Sequence, residues 1–301
     1  MMGFHRSLLL YKYATVQDAI AFIKMSPHTI YLDKLDIEAA FRIIPVSPLD
    51  TPLLGFQWRG KFYRDAVLPM GCASSCSIFE AFSSALEWIA KTKLGVSEMV
   101  HYIDDFLFLA ESYEKCTADM NAFISLCEQM GLPLAPETTQ GPTTVLPFLG
   151  IILDTVRLEA RLPDDKLAKC RSMIADFLTR QKISLQQLQS LLGLLGYAAC
   201  VVVSGRCFLR RLIDLTIGVT RPHPHIRLTK QAKLDLTVWQ EFLINFNGRA
   251  FFLTDRFHTD GCLDLYTDAS GSVGYGAVYG REWFWGKWPA AWLTCNIAVL
   301  E

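Results

Sequence analysis

The chain of 301 residues lacks several features that mark common protein classes. We expect no signal peptide, because Met1–Arg6 precedes only a short apolar stretch before Lys12. The apolar part of its longest uncharged stretch, residues 191–203, is shorter than a bilayer span, so we expect a buried helix there and no membrane partner. No internal repeat and no low-complexity segment is visible. These absences leave a globular protein, with a length typical of about two domains.

The cysteine pattern is equally uninformative about metals. Nine cysteines form no CxxC pair and no spacing typical of a metal site. We therefore expect nine reduced thiols in an intracellular protein of the cytoplasm or nucleus. Hydrophobic residues make up 51% and charged residues 20% of the chain, which excludes a disordered or coiled-coil protein.

Charge is small in total but uneven along the chain. The net charge is -1, yet residues 1–160 carry -6, residues 161–233 carry +9 and residues 234–301 carry -4. A basic segment between two acidic ones is typical of a region that contacts phosphates. A solvated helical face is the alternative interpretation, and charge alone does not decide between them.

Hydrophobic periodicity predicts strands with two helices up to Arg161, mainly helices from Pro163, and strands again from Leu263. Ser184 with Gln187 predicts a capping box, and Pro163 a first helical position. The expected strands and hairpins are 29–36, 56–63 around Arg59–Gly60, 99–109 with Asp104 and Asp105 at the tip, 148–153 in a hairpin that ends at Arg161, 263–269, 275–280 and 283–288. The expected helices are 78–89, 116–131, the stretches after Pro163 and Ser184, 208–213 and 234–243.

Three carboxylates are candidates for a metal site. Asp36 ends a predicted strand, and Asp104 and Asp105 are adjacent in a predicted hairpin. Adjacent carboxylates on an apolar hairpin repel each other and lose water, and a divalent cation would remove that cost. Two Mg²⁺ ions roughly 3.5–4 Å apart would then clamp the attacking and leaving oxygens of a phosphoryl transfer. The alternative is an ordinary Asp-Asp turn and a strand-end cap.

The order of the motifs resembles that of a retroelement reverse transcriptase. The residues that carry the resemblance are Leu35–Phe41, Leu68–Gly71 with Ser75 and Phe79, Tyr102–Asp105 and Phe148–Gly150. Further stretches are most similar to the DIRS group of retrotransposons, which encode a tyrosine recombinase elsewhere: Ala40–Arg42, Leu54–Phe56, Leu188–Gly193 and Gly205–Leu212. The similarity covers nearly the whole chain beyond about residue 12.

The resemblance implies an RNA-directed DNA polymerase that adds dNTPs to the 3′-OH of a DNA primer on an RNA template. Asp36 and Asp104 would be the main ligands of two Mg²⁺ ions, with Asp105 alongside and Mn²⁺ as an alternative ion. Phe41 falls at the steric gate, where an aromatic ring collides with a ribose 2′-OH and so predicts dNTP use. A plain core position is the alternative for Phe41.

The remaining polymerase residues follow from the same resemblance. We expect Met70 and Gly71 to line the nucleotide pocket. The expected primer and template contacts are Tyr102 and Ile103 under the primer terminus, Leu149 and Gly150 in the primer grip, and Arg206, Arg210 and Arg211 on phosphates.

A second resemblance concerns the last 40 residues. Leu265–Gly271 followed by Gly274–Ala277 looks like the first hairpin of a ribonuclease H domain. Asp268 would be its first metal ligand and Glu301 its second. Because the later acidic residues are absent from this chain, we expect no ribonuclease H activity and frayed packing after about residue 262.

The chain departs from the family pattern in two places. Only His5 and Arg6 stand where family members carry a basic fingers segment that grips the triphosphate. Thr138 stands where the family tends to have a lysine that is regarded as a proton donor to pyrophosphate. Both departures favour a fragment of a longer polyprotein or of a decaying genomic copy.

The expected fold class is α+β, with the architecture of a right-handed polymerase. Residues 1–160 would form a palm with incomplete fingers, residues 161–261 a basic helical thumb and connection, and residues 262–301 a truncated ribonuclease H-like α/β segment. Two alternatives to an active polymerase stay open: a non-catalytic nucleic-acid-binding remnant, and a nuclease that depends on the C-terminal segment. The oligomeric state is left open.

Overall fold

The computed structural model describes residues 13–219, 225–245, 249–252 and 264–292. The chain divides into two units, of which the first ends at Phe252. The helices of the first unit are α1 (Val16–Met25), α2 (Ala73–Lys93), α3 (Tyr113–Met130), α4 (Asp164–Thr179), α5 (Leu185–Ala198), α6 (Arg210–Asp214) and α7 (Lys230–Asn245). Its strands are β1 (Tyr31–Asp36), β2 (Gly55–Trp58), β3 (Lys61–Arg64), β4 (Glu98–Tyr102), β5 (Asp105–Ala110), β6 (Gln140–Thr143), β7 (Val145–Phe148), β8 (Ile151–Asp154), β9 (Glu159–Arg161), β10 (Lys182–Ser184), β11 (His225–Arg227) and β12 (Arg249–Phe251).

The central sheet of the first unit has the strand order β4-β5-β1-β6, and all its pairings are antiparallel. Side chains alternate between its two faces. Phe106 and Phe108 pack against α2 and α3, in a cluster that includes Phe79. Leu107 and Leu109 belong to a separate cluster on the opposite face. Because both faces of β5 are buried, this strand is an almost continuous apolar run.

A second antiparallel sheet, β12-β9-β8-β7, shares that opposite cluster with α4, α5 and α7. Trp239 of α7 is fully buried there. Gly205 lies against its ring, and a Cβ at this position would be 2.4 Å from the indole carbons. A side chain at Gly205 would therefore force α7 away from the short 3₁₀ helix Val203–Phe208.

Local signals placed several elements correctly. The hairpin β2–β3 turns at Arg59 and Gly60, which both have positive φ, as expected for a two-residue loop between antiparallel strands. Ser184 and Gln187 form the predicted capping box at the start of α5. Pro163 is the residue that precedes α4, one position before the expected one.

One prediction of local structure is wrong, and another is shifted by one residue. The stretch 148–153 is not one strand, because Leu149 and Gly150 adopt positive φ and turn the chain between β7 and β8. The predicted hairpin that ends at Arg161 is confirmed as β8–β9. The hairpin at residues 99–109 also differs in detail: Asp104 lies in its turn, but Asp105 is the first residue of β5 and pairs with Tyr102.

The apolar stretch 191–203 is helical only to Ala198, and its leucines face the protein core. No helix in the described part of the chain is long and apolar enough to cross a membrane. The seven cysteines that the structure describes are all free thiols.

The second unit is described from Asp264 to Trp292. It contains a three-stranded antiparallel meander of β13 (Leu265–Ala269), β14 (Gly274–Tyr279) and β15 (Glu282–Lys287). These strands match the predicted ones to within two residues.

Candidate active site

The end of β1 and the hairpin β4–β5 bring carboxylates from two distant stretches of chain together. Asp36 pairs directly with Asp105 in the antiparallel register of β1 and β5. The backbone continues this contact past the strand, because the N–H of Ile37 donates to the carbonyl of Asp104 at 3.2 Å. On the other side, the N–H of Ala135 donates to the carbonyl of Asp36 at 3.0 Å. The end of β1 is thus fixed between two neighbouring segments.

The turn that carries Asp104 is strained. It is a two-residue loop of Ile103 and Asp104, and Ile103 has φ of 56°. Positive φ at the first of two loop residues is characteristic of a type II′ turn, which favours glycine there. A β-branched residue in this conformation is an outlier and stays there only where its surroundings hold it.

The electrostatics of the site are unbalanced. Burial, followed by the charges of Asp104 and Asp105, raises the pKa of Asp36 to about 6 against the opposing effects of Lys34 and Thr138. The pKa of Asp104 is also raised, first by burial and then by Asp105, against a lowering hydrogen bond from its own backbone. Lys34 forms an ion pair with Asp105, Nζ to Oδ1 2.9 Å. Burial and the neighbouring carboxylates together therefore disfavour the charged forms of Asp36 and Asp104, and Lys34 only partly offsets this.

This donor set fits a hard divalent cation, because carboxylate oxygens are its preferred ligands and its charge would relieve the repulsion. Among the described residues, however, no three His, Cys, Asp or Glu side chains are grouped closely enough to hold one ion. Asp36 and Asp104 would hold the ions, and further ligands would come from backbone, water or substrate oxygens. The three-carboxylate set stays a prediction.

One residue beside these carboxylates, Lys34, was missed by the sequence analysis. Lys34 lies two residues before Asp36 on β1, so it is on the same face of the sheet and reaches Asp105. The strand alternation could have identified it. Thr138 donates from Oγ1 to Oδ2 of Asp36 at 3.5 Å, so the residue at the expected lysine position does lie beside the carboxylate.

The predicted nucleotide-pocket residues have different environments. Phe41 lies in the 3₁₀ helix Ala40–Ile43, five residues after Asp36, and is half-buried. Its ring packs edge-on against Phe79 of α2, with 5.6 Å between centroids. Met70 is exposed and Gly71 has φ of 84° in the turn before α2. Phe41 therefore has a core contact, and its role as a gate stays a prediction.

The predicted primer contacts cluster at two turns. Tyr102 is the last residue of β4, and its ring lies 5.6 Å from that of Tyr13. Leu149 and Gly150 form the turn of β7–β8, and the hydroxyl of Tyr197 in α5 donates to the carbonyl of Gly150. A Cβ at position 150 would lie 2.8 Å from that hydroxyl. Glycine is thus required by both φ and space, and Tyr197 is a further residue that the sequence analysis missed.

The three candidate phosphate-binding arginines are not equivalent. Arg211 forms an ion pair with the buried Asp235, Nη1 to Oδ1 2.7 Å. Arg210 pairs with Asp214 one helical turn away and is 76% exposed. Arg206 is exposed, with no carboxylate partner among the described residues. Arg206 is the most available of the three for a phosphate.

The predicted ribonuclease H residues are only partly described. Asp268 is exposed on β13, where it pairs with Gly276 of β14. Glu301 lies outside the described residues, so the expected pair of metal ligands is not described, and the frayed packing expected after about residue 262 stays a prediction.

Comparison with known proteins relates the first half of the chain to one family. Residues 5–153 match the family described as "Reverse transcriptase (RNA-dependent DNA polymerase)". Asp36, Asp104 and Asp105 all lie within this match.

Two relatives with similar sequences are retroviral polyproteins. The chain is 26% identical over 273 residues to the Gag-Pro-Pol polyprotein of Human T-cell leukemia virus 3 (strain 2026ND), covering 87% of this chain and 17% of the relative. It is 25% identical over 169 residues to the Pro-Pol polyprotein of Feline foamy virus, covering 56% of this chain and 13% of the relative. The chain therefore spans less than a fifth of the length of these relatives.

Solved structures share the fold. A foamy viral protease-reverse transcriptase dRH in complex with double-stranded DNA matches 97% of this chain and 48% of its own, with a TM-score of 0.60 and 18% identity. The foamy viral protease-reverse transcriptase in complex with an RNA/DNA hybrid matches 99% and 37%, with a TM-score of 0.59 and 16% identity. The mixed α/β fold is thus that of foamy viral reverse transcriptases.

Proposed function

We propose that this chain is the polymerase part of a longer retroelement polyprotein and adds dNTPs to the 3′-OH of a primer. The observation that carries the proposal is the register of β1 and β5, which places Asp36 directly beside Asp105 and next to the turn of Asp104. The family in general uses divalent metals, and two Mg²⁺ ions would neutralise charge on the attacking and leaving oxygens.

The protein's own part in this reaction is to position the reacting groups and to balance their charge. Asp36 and Asp104 would hold the ions, while Lys34 keeps Asp105 compensated. Phe41 would exclude the 2′-OH of a ribonucleotide, and Met70 and Gly71 would line the nucleotide pocket. The primer terminus would rest on Tyr102 and Ile103 and on the turn of Leu149 and Gly150, whose left-handed backbone lets a strand approach closely.

The subdivision of the chain follows from the same proposal. Residues 1–160 would be the fingers and palm, and residues 161–261 the thumb and connection. The basic charge of residues 161–233 and the nucleic-acid complexes of the foamy viral neighbours support a duplex bound by its backbone. An RNA template with a DNA primer is the proposed substrate. The motifs Leu188–Gly193 and Gly205–Leu212 support a position near the DIRS group.

The segment after residue 261 would be the start of a ribonuclease H-like domain. The meander β13–β15, with Asp268 exposed on its first strand, supports this assignment.

A non-catalytic nucleic-acid-binding remnant is the second candidate. The observation that favours it is Thr138, which stands beside Asp36 where the family tends to have a proton-donating lysine. A threonine hydroxyl is a much weaker acid than an ammonium group, so release of pyrophosphate would lose its proton donor.

One experiment separates the two candidates. The purified chain is given a DNA primer on an RNA template with dNTPs and Mg²⁺, and extension is compared with that of Asp104→Asn. Extension that disappears in the variant supports the polymerase. Binding of the primer–template without extension by either protein supports the remnant.

A further inference from the structure

Two polar side chains of α2 hold both backbone groups of Ile103, the strained residue before Asp104. The N–H of Ile103 donates to Oε2 of Glu80 at 3.0 Å. The carbonyl of Ile103 accepts from Oγ of Ser83 at 2.5 Å. Glu80 and Ser83 are one helical turn apart, so they lie on the same face of α2, and both are buried.

These two bonds account for the conformation of the turn. A φ of 56° is unfavourable for isoleucine, whose β-branch crowds the backbone there. The side chains of Glu80 and Ser83 hydrogen-bond the peptide groups on either side of the Ile103 Cα. With both groups held, the next residue, Asp104, has little freedom to move relative to α2.

Glu80 is itself held by a second buried layer. His101 of β4 lies between two carboxylates of α2: its Nε2 is 3.3 Å from Oε1 of Glu80, and its Nδ1 bonds Oε2 of Glu87. The Nε2 contact has the distance of an ion pair without the geometry of a hydrogen bond. Glu80 therefore uses one oxygen for Ile103 and turns the other to His101.

The chain of contacts ends at the surface. Burial works to raise the pKa of Glu87, but hydrogen bonds from His101 and Lys91 outweigh it and leave that pKa below its usual value. Lys91 contacts Glu87 at 2.9 Å and also bonds Glu98 of β4. His101 and Lys91 thus lie between the carboxylates of α2 and β4, and Glu80, Glu87 and Glu98 each have a partner.

We propose that Glu80 is a positioning residue of this polymerase, which acts with Ser83 to fix the Ile103 turn and thereby the carboxylate of Asp104. His101 keeps the Glu80 side chain in the orientation that this requires. The inference rests on the proposed function, and it assigns Glu80 no contact with substrate or metal. A displacement of about 1 Å in a reacting group costs on the order of a hundredfold in rate, so such a support has a measurable effect.

The test compares three variants of α2 in the full chain. Glu80→Ala removes the acceptor, Glu80→Gln keeps an acceptor oxygen in the same place, and Ser83→Ala removes the second bond. Ser77→Ala is the matched control, because Ser77 is also a buried serine of α2 but bonds only the carbonyl of Ser74 within the helix.

The first readout is hydrogen exchange of the Ile103 amide, which needs no catalysis. We expect exchange to accelerate by at least about tenfold in Glu80→Ala and to change little in Glu80→Gln or Ser77→Ala, since only the first loses the bond. An unchanged rate in a folded Glu80→Ala protein would overturn the proposal. Should Glu80→Ala fail to fold, the same comparison of Ser83→Ala with Ser77→Ala decides.

The second readout is the rate of single-nucleotide addition. We expect kcat to fall by about a hundredfold in Glu80→Ala and about tenfold in Ser83→Ala, with KM for the dNTP within about threefold of the wild type. Recovery in Glu80→Gln to within about fivefold would show that the acceptor, not the charge, matters. Accelerated exchange with an unchanged kcat would refute the positioning role. A wild-type chain without activity would instead refute the proposed function, and exchange would still decide whether the turn is held.

Discussion

Asp36 and Asp105 are direct partners across β1 and β5, so their side chains emerge on the same face of the central sheet. Lys34, two residues earlier on β1, reaches Asp105 and compensates its charge. Asp36 and the neighbouring Asp104 keep raised pKa values. The sheet register itself therefore creates the uncompensated negative charge that a divalent cation would neutralise.

Removal of the Phe41 ring should relax sugar discrimination. In Phe41→Ala we expect the preference for dNTP over rNTP to fall by at least about tenfold, because the ring no longer collides with the 2′-OH. The measurement is kcat/KM for both nucleotides. Phe82→Ala is the matched control, since Phe82 also packs on Phe79 but lies on α2. Equal loss of preference in both variants would show a packing effect and not a gate.

Gly150 and Tyr197 should be coupled in stability. We expect Gly150→Ala to lower the free energy of unfolding by about 1–2 kcal/mol through its positive φ, with a further cost from the Tyr197 hydroxyl. In a Tyr197→Phe background that further cost disappears, so the same substitution should be less damaging. Denaturant titration of the four proteins gives the coupling. Strict additivity would contradict the close approach.

The arginines of the basic segment should separate into two kinds. Arg206→Ala should weaken duplex binding and lower the slope of log affinity against log salt by about 1, with stability unchanged. Arg211→Ala should lower the free energy of unfolding by about 1–3 kcal/mol, because the buried Asp235 loses its partner. Fluorescence anisotropy and thermal denaturation measure the two effects. A salt slope unaffected by Arg206→Ala would remove the phosphate assignment.

Asp33 should make the protein less stable as pH rises. Asp33 lies on β1 with its side chain fully buried, and burial raises its pKa to about 6, although the Cys116 thiol opposes this. The Asp33 carboxyl has a pKa near 3.8 in the unfolded chain and near 6 in the folded protein. The stability that it contributes below pH 4 is therefore lost as pH rises to about 6.

The loss attributable to Asp33 is on the order of 3 kcal/mol. Asp33→Asn cannot ionise, so its stability relative to the wild type should increase between pH 4 and 7 by that order. Denaturant titration across this range measures the difference, and Asp36 cancels because both proteins keep it. A difference that does not vary with pH would contradict the buried, proton-holding state of Asp33.

Local sequence signals were sufficient for part of this structure. The capping box of Ser184 and Gln187, the Arg59–Gly60 turn and the strand that ends at Asp36 were predicted because each depends on residues close in sequence. The turn at Leu149 was missed because nothing in an apolar run marks a leucine for positive φ.

The supports of the site could not be found in the same way. The alternation of side chains along β1 could have identified Lys34. The contact of Tyr197 with Gly150, however, joins residues 47 positions apart in the sequence. The hold of Glu80 on Ile103 spans 23 residues and depends on how α2 lies against β4. Such contacts follow from tertiary packing, which no motif encodes.

The most direct test of the central claim is a double-mutant cycle on Asp36 and Asp104, measured as the rate of single-nucleotide addition in Mg²⁺. If the two carboxylates act as one ion-binding unit, Asp36→Asn and Asp104→Asn should each lose at least about a thousandfold, and the double variant little more. Asp50→Asn, at an exposed position of the same unit, should stay near the wild type. Near-wild-type activity in Asp36→Asn, or losses that multiply in the double variant, would contradict the account.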